Sequence, residues 1–225
     1  MKKIFDVTLK NCYMENNNIR SFFAKDPMDF FNLFFFEKGE YLALAGEQLN
    51  YLHFLVDGKL KVYTSKSDGR SLLLKLCTPS EIIGDVEFLS DDKCHSNIEV
   101  LQDTYCLSIS VKDIHSYFLN DSIFLRKICE ELATKLRYSS LLNSMNYLYP
   151  LDNRLAKYIL FIAGEKKYIE ELNLSETAEL LGTSYRHLLR VLKNFETTKV
   201  IKRNNKSITV LDLTSLKKLS EDIYY

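Results

Sequence analysis

The chain has 225 residues, which suits one large domain or two small ones, and its 30 Lys and Arg balance its 30 Asp and Glu. With 46% hydrophobic and 27% charged residues, the composition is that of a globular protein and excludes a disordered chain, a collagen and a coiled-coil rod. No apolar run approaches the roughly 18 to 20 residues of a membrane span, and the charged start lacks the apolar segment of a signal peptide, so we expect a cytoplasmic protein without membrane contact.

The glycines mark the first part of the chain as a region of many turns. Five of the seven glycines fall there: Gly39, Gly46, Gly58, Gly69 and Gly84. Asp-Gly pairs such as Asp57-Gly58 favour the positive φ of tight hairpins. Between the turns lie runs rich in β-branched, aromatic and leucine residues, at 51–56, 60–64, 72–76, 97–101 and 105–109. Short strands at such spacing predict a β-roll or β-sandwich, which we assign to residues 1–120.

Helical periodicity replaces this pattern after about Val111. Ser110 is predicted to cap a short helix that ends near Leu119. A longer helix is predicted over 121–147, with one apolar face formed by Leu125, Ile128, Leu132, Leu136 and Leu142. Because this face is too long for a small domain to bury, we predict that part of it packs against a second copy of the chain. The alternative is that the helix only covers the β-domain.

A second domain is predicted over residues 151–225. The segment 146–153 contains Pro150 and breaks the helical pattern, because the residue before a proline resists the α-region. The second domain carries 13 Lys and Arg against 10 Asp and Glu, a net charge of +3, which leaves −3 in the first 150 residues. The overall neutrality therefore conceals a basic C-terminal domain.

Two predicted helices flank Gly182 in this domain. Ser175 is predicted to cap the first helix and Ser184 the second. A short helix, a glycine turn and a second helix form a helix-turn-helix, in which the first residues of the second helix enter the major groove of DNA. The predicted DNA-binding residues of the second helix are Tyr185, Arg186, His187, Arg190 and Lys193.

A basic wing is predicted beside this helix. Residues 183–206 contain seven Lys and Arg and a single acid, Glu196. This excess of positive charge predicts a phosphate-binding surface. Two short strands, at 200–202 and 207–211, are predicted to join through a tight turn at 203–206. Lys202, Arg203 and Lys206 are its predicted DNA contacts. The alternative is a solvated charged face on a helical bundle.

Several short motifs occur in order along the predicted roll: Phe36-Glu37-Lys38-Gly39-Glu40, Ala45-Gly46-Glu47, Asp57-Gly58-Lys59 and Ile82-Ile83-Gly84-Asp85. Together with the helix-turn-helix they resemble the cyclic-AMP receptor protein/FNR superfamily of bacterial transcription regulators. Within it, Ser184-Tyr185-Arg186-His187-Leu188-Leu189 is most similar to YeiL-type regulators.

The resemblance implies an α+β fold with an N-terminal cyclic-nucleotide-binding-like β-roll, a long dimerisation helix and a C-terminal winged helix-turn-helix. It implies a homodimer that reads a palindromic site in double-stranded DNA and, in an activator, contacts RNA polymerase. Ser184 would contact a phosphate and Arg190 a base. Tyr185-Arg186 replaces the Arg-Glu pair of the cyclic-AMP receptor, so the half-site is expected to differ.

The resemblance also points to an effector site in the roll. In cyclic-nucleotide binders of this family an acid after Phe-Gly accepts the ribose hydroxyl, and an Arg-Ser pair grips the phosphate. The corresponding residues here are Gly84, Asp85, His95 and Ser96, with His95 in place of the arginine. Neutral imidazole is a poor substitute for guanidinium, so we expect an unknown effector, or a roll that needs none, rather than cyclic AMP.

The five cysteines form no CxxC pair, which argues against a disulfide framework and a zinc knuckle. A lone N-terminal Cys12 is too few for an FNR-type iron–sulfur cluster, while His53, His95 and Cys77 leave a haem site open. Cys94 beside His95 is a candidate thiol switch.

With no enzyme motif present, we expect a sequence-specific DNA-binding transcriptional regulator. The alternative is a regulatory cyclic-nucleotide-type module that acts on a protein partner without DNA.

Overall fold

The computed structural model describes residues 1–65, 71–90, 92–163 and 167–220, without the side chains of Ser71, Leu73 and 142–147. The predicted turn at Gly69 lies outside the described residues. The chain forms two compact units, Met1–Leu136 and Arg137–Tyr225. The hydrophobic clusters of the two units share no residue, so each unit has its own core.

The first unit is built on an antiparallel sheet. Its strands in the described residues are β1 (Lys2–Ile4), β2 (Phe31–Phe36), β3 (Tyr41–Ala43), β4 (Tyr51–Ser65), β5 (Ser71–Cys77), β6 (Ile82–Ile83) and β7 (Asn97–Ser110). The strand order is β1-β2-β7-β4-β5, with β3 paired to β7 and β6 paired to β4. The long β4 and β7 form the centre of the sheet, as the predicted roll requires.

Gly58 does not form the hairpin turn that the Asp57-Gly58 pair predicts. The predicted runs 51–56 and 60–64 are one continuous strand, β4, and the runs 97–101 and 105–109 are likewise one strand, β7. Gly58 has a positive φ of 104°, but it lies where the register between β4 and β7 shifts. A Cβ at Gly58 would lie 2.2 Å from Thr104 Oγ1, so the glycine allows close approach of two strands rather than a turn.

Short helices surround the sheet. They are α1 (Val7–Asn16), α2 (Asp85–Ser90) and α3 (Val111–Asp113), with 3-10 turns at Ile19–Phe22 and Met28–Phe30. Ser110 caps α3 as predicted, because its Oγ accepts a hydrogen bond from Asp113 N at 3.0 Å. The chain then continues to Phe118 as a π-helical turn, closed by a bond from Leu119 N to Ile114 O, instead of a regular helix.

The long helix α4 (Ser122–Leu148) begins where the sequence predicts. The Asp121 carboxylate caps it by accepting hydrogen bonds from Ile123 N and Phe124 N. Phe124 stacks on Phe23 with ring centroids 5.1 Å apart, inside an aromatic cluster of the first unit. The helix is therefore anchored in the core of that unit from its first turn.

The predicted dimer face of α4 is wrong in part. Ile128 is only 1% exposed and belongs to the core of the first unit, so it cannot contact a second copy. Leu125 and Leu132 pack partly buried against the same core, as the alternative reading expects. Leu136 is 72% exposed, and the side chain of Leu142 lies outside the described residues.

The second unit contains α5 (Leu151–Ala163), β8 (Tyr168–Ile169), α6 (Leu174–Leu180), α7 (Tyr185–Thr197), β9 (Ile201–Asn204), β10 (Ser207–Val210) and α8 (Leu213–Ser220). Pro150 separates α4 from α5, where the break was predicted. The three strands have the order β8-β10-β9. These elements enclose one core, to which α5, α6 and α7 all contribute.

The predicted α+β architecture is confirmed. Among the described residues, none of the helices has the length and apolar character needed to traverse a bilayer.

Candidate nucleic-acid interface

Asn173, not Ser175, caps the first helix of the helix-turn-helix. Its Oδ1 accepts hydrogen bonds from Ser175 N at 3.1 Å and Glu176 N at 3.3 Å, so Ser175 lies inside α6. Thr177 Oγ1 adds a bond to Asn173 O at 2.7 Å. The prediction of Ser175 was wrong because both residue types cap helices well and only the backbone decides between them.

The turn after α6 depends on Gly182, as predicted. Its φ of +59° is a conformation that favours glycine. Thr183 N donates to Ala178 O at 2.9 Å and Gly182 N donates to Glu179 O at 3.1 Å, which is the double hydrogen bond of a Schellman motif. Ser184 then caps α7, with its Oγ accepting from His187 N at 3.2 Å. The predicted cap of the second helix is therefore confirmed.

The helix α7 has a buried face and a cationic face. Leu188, Val191, Leu192 and Phe195 are buried in the core of the unit. The side chains of Arg186, Arg190 and Lys193 are exposed and follow each other at spacings of four and three residues, which places them on one side of the helix. Ser184 and Tyr185 are also exposed. His187 is half-buried, with its Nδ1 at 3.4 Å from Thr183 Oγ1.

The wing continues this surface. β9 and β10 pair from Ile201 with Val210 to Asn204 with Ser207, which leaves Asn205 and Lys206 as the turn. Asn205 has a φ of +56°, as the Asn-Asn sequence predicts. A cleft of about 280 Å³ is lined by Asn173, Ser175, Tyr185, Asn205 and Lys206, among others. The starts of α6 and α7 and the tip of the wing therefore lie side by side.

The basic residues of this surface fall into two groups. Arg203 Nη2 lies 3.5 Å from Glu196 Oε2, and the pair is half-buried. Lys206 Nζ lies 2.7 Å from Glu171 Oε1, and the hydrogen bond to Glu171 raises the pKa of Lys206. By contrast, over the ranges that the structure describes, no ion pair involves the following residues: Arg186, Arg190, Lys193 and Lys202. The structure therefore brings all nine predicted residues into one unit and leaves four of them with no acidic partner among the residues that it describes.

The predicted effector residues differ in their surroundings. Gly84 has a φ of +93°, and a Cβ there would lie 2.0 Å from Leu49 Cδ2. Asp85 is 1% exposed, and its Oδ1 accepts a hydrogen bond of 2.6 Å from Lys135 Nζ on α4. His95 is exposed and Ser96 half-buried, and no hydrogen bond or ion pair between described residues joins them to Asp85.

Lys135 forms an ion pair with Asp85, the acid that would bind a ribose hydroxyl according to the resemblance. Its Nζ donates to Asp85 Oδ1 and, at 2.7 Å, to Ile82 O. Asp85 Oδ2 is buried with no hydrogen-bond partner among the described residues. The carboxylate is thus neutralised within the first unit by the long helix.

The surroundings of Cys94 do not favour the thiol-switch hypothesis. Cys94 is buried, and burial, followed by the nearby Glu87, raises the pKa of its thiol instead of lowering it. A raised pKa suppresses the reactive thiolate. Within 1–65, 71–90, 92–163 and 167–220, no group of three or more His, Cys, Asp or Glu side chains is placed to hold a metal ion.

Comparisons with known proteins match both units. Residues 33–121 match the cyclic nucleotide-binding domain family, and residues 153–219 match the Crp-like helix-turn-helix domain family. The regulatory protein YeiL of Escherichia coli O157:H7 is 31% identical over 182 residues, which cover 81% of this chain and 82% of YeiL. A CRP-like cAMP-activated global transcriptional regulator of Mycobacterium tuberculosis is 24% identical over 79% of this chain and 83% of its own length.

A solved structure supports the same fold. A transcriptional regulator of the crp/fnr family from Eubacterium rectale superposes with a TM-score of 0.73 and 17% sequence identity. The superposition covers 96% of this chain and 95% of that one.

Proposed function

The chain belongs to the CRP family of DNA-binding transcriptional regulators, and we propose that a homodimer of it reads a palindromic DNA site through α7. Membership of this family confirms the prediction of a transcriptional regulator and rules out the enzyme class. The observation that carries the proposal is the capped helix α7, whose core-facing side is apolar and whose other side presents Arg186, Arg190 and Lys193.

We assign base reading to the first turns of α7. A guanidinium can donate two parallel hydrogen bonds to the O6 and N7 atoms of guanine, so Arg186 and Arg190 are the proposed base contacts. Tyr185 lies beside them and is 48% exposed. The proposed phosphate contacts surround this centre: Ser184, Lys193, Lys202 and, less strongly because each is paired with a glutamate, Arg203 and Lys206.

We propose a dimer seam on a different stripe of α4, which shares only Leu136 with the predicted face. Cys129, Ala133, Leu136 and Ser140 are all exposed and follow the 4-3-4 spacing of a coiled-coil stripe. Two copies joined along this stripe would present two α7 helices related by two-fold symmetry, which matches a palindromic site.

We further propose that the roll does not respond to cyclic AMP, because Asp85 is already paired with Lys135 and the exposed His95 offers no guanidinium. An activator of this family would also contact RNA polymerase. We propose that the protein acts in the cytoplasm, where its DNA target lies.

The test of DNA reading is a selection of random duplex DNA on the purified chain at physiological salt, followed by sequencing. We expect enrichment of a palindrome whose half-sites lie one helical turn apart. A non-palindromic motif would contradict the dimer, and no enrichment, with or without cyclic nucleotides, would contradict the proposed reading of DNA.

The test of the seam is the Leu136→Glu variant, measured by sedimentation velocity. A charge at the exposed stripe should dissociate the dimer and abolish binding to the palindrome, while the chain stays folded. Ile123→Glu is the matched control, since Ile123 is an exposed apolar residue of α4 that lies off the stripe. A stable dimer of Leu136→Glu would place the interface elsewhere.

A further inference from the structure

The structure points to Arg154 as a positioning residue for the DNA-reading helix, an inference that rests on the proposed function of α7. Arg154 lies in the first turn of α5 and is only 8% exposed. Arginine is rarely buried to this extent without fixed hydrogen-bond partners. Burial lowers the pKa of Arg154 below its ordinary value.

The guanidinium bridges two backbone carbonyls that are far apart in sequence. Nη1 donates to Leu181 O in the turn of the helix-turn-helix. Nε donates at 3.1 Å to Tyr149 O, in the two-residue link between α4 and α5. All three residues belong to the second unit. Arg154 therefore ties the turn before α7 to the segment that leads into the domain.

The carbonyl of Leu181 depends on this contact. Three carbonyls of the last turn of α6 have backbone donors: Thr177 O accepts from Leu181 N, Ala178 O from Thr183 N and Glu179 O from Gly182 N. Leu181 itself is the C-cap residue and is 6% exposed. A buried carbonyl without a donor costs free energy, so the guanidinium fixes where the turn lies against α5.

The position of the turn sets the start of α7. Ser184, which caps α7, follows Leu181 by three residues, and Arg186 follows by five. The apolar residues of α7 fix how deeply the helix lies in the core. The bond from Arg154 to Leu181 O adds a directional polar contact near the DNA-reading end of the helix. A lysine has one ammonium group in place of the planar fork and cannot reproduce the two fixed directions.

The experiment compares Arg154→Lys with the wild-type chain on two probes, the duplex enriched by the selection and a shuffled duplex of the same composition. We expect specific affinity to fall about tenfold, similar to the cost of one mismatched base pair. Affinity for the shuffled duplex and the salt dependence should stay within about twofold, because the phosphate-binding cations are unchanged. Arg126→Lys is the matched control, since that arginine is exposed on α4.

A second measurement does not require DNA. Hydrogen exchange in Arg154→Lys should accelerate at the amides of Gly182 and Thr183, while Leu192 in the core keeps its protection. Unchanged specific affinity, or equal losses on both probes, would overturn the inference. If Arg154→Lys and Arg154→Gln both fail to fold, the arginine serves stability alone and the inference is wrong. Failure of the wild-type chain to prefer the enriched duplex would instead refute the proposed function itself.

Discussion

The two units use charged side chains in opposite ways. In the first unit, Asp85 and Lys135 pair within the fold, and the aspartate is almost completely buried. In the second, Arg186 and Arg190 are exposed and make no ion pair within the described part of the chain. Buried charges must be compensated inside the protein, whereas exposed and uncompensated cations are available to an external polyanion. Burial and pairing, rather than residue type, therefore distinguish structural charges from recognition charges.

The largest effect should come from removing the cation of the buried pair. Lys135→Met leaves the Asp85 carboxylate buried without a partner and should lower the free energy of unfolding by about 3 kcal/mol. This is the low end of the range for such pairs, because the lysine side chain retains 26% exposure. Urea denaturation measures the change.

Two variants make this comparison specific. The double variant Asp85→Asn, Lys135→Met should recover most of the lost stability, since no uncompensated charge remains. Lys127→Met, at a partly exposed lysine of the same helix, should change stability by no more than about 0.5 kcal/mol. A similar loss in both lysine variants would mean that the buried pair is no more important than a surface ion pair.

The opposite behaviour is expected on the cationic face of α7. Arg190→Ala should leave the free energy of unfolding nearly unchanged and weaken specific DNA binding by about 1 to 3 kcal/mol, because a bidentate base contact is lost. Fluorescence anisotropy with the selected duplex and its shuffled counterpart measures both affinities. Equal affinity of the variant and the wild type for the selected duplex would remove Arg190 from the recognition surface.

His53 provides a test of buried polar groups in the first unit. It is fully enclosed, with its Nδ1 2.7 Å from Ser108 Oγ, and burial lowers its pKa to about 3. The unfolded chain has a histidine pKa of about 6.5 and so binds the extra proton first as the pH falls. Stability is therefore complete above about pH 6.5 and declines below it, by about 2 kcal/mol between pH 7 and pH 5.

Denaturation curves at these two pH values check the decline. His53→Gln should remove most of it, whereas His95→Gln should not, because His95 is exposed. The same slope in His53→Gln as in the wild type would assign the pH dependence to other groups.

The smallest expected effect is a difference in the salt dependence of DNA binding between variants of two wing lysines, Lys202 and Lys206. Lys202→Ala should weaken binding to all duplexes alike and reduce the slope of log affinity against log salt by about 1. Lys206→Ala should reduce the slope less, because Lys206 is already paired with Glu171 at 2.7 Å. Glu171→Gln should then increase the contribution of Lys206. Equal slopes for the two alanine variants would show that the Glu171 pair does not compete with DNA.

Features that depend on neighbouring residues were predictable from the sequence. Ser110 and Ser184 cap helices, and Gly182 forms the turn between α6 and α7, because each effect needs only a few consecutive residues. The start of α4 and the break at Pro150 follow from the same local chemistry.

Features that depend on distant residues were not predictable in this way. Gly58 lies within β4, where the close approach of Thr104 on the neighbouring strand leaves no room for a Cβ. No local sequence pattern reveals that approach. The periodicity of α4 identifies an apolar face that includes Ile128. It does not show that the core of the first unit covers Ile128. The Asn173 cap depends on a choice between two suitable residues that only the folded backbone resolves.

By itself, the sequence indicated a β-roll, a long helix and a helix-turn-helix in that order, and the helix that carries Arg186 and Arg190, since periodicity, capping and turn chemistry are local. The family followed from the resemblance of its motifs. The tertiary structure alone decided which charges of the described residues are paired within the chain. Lys135 meets Asp85 across 50 residues, and Arg154 meets Leu181 across 27. Such pairings require the packed core that brings distant segments together, and this is why they cannot be inferred from the spacing of residues along the chain.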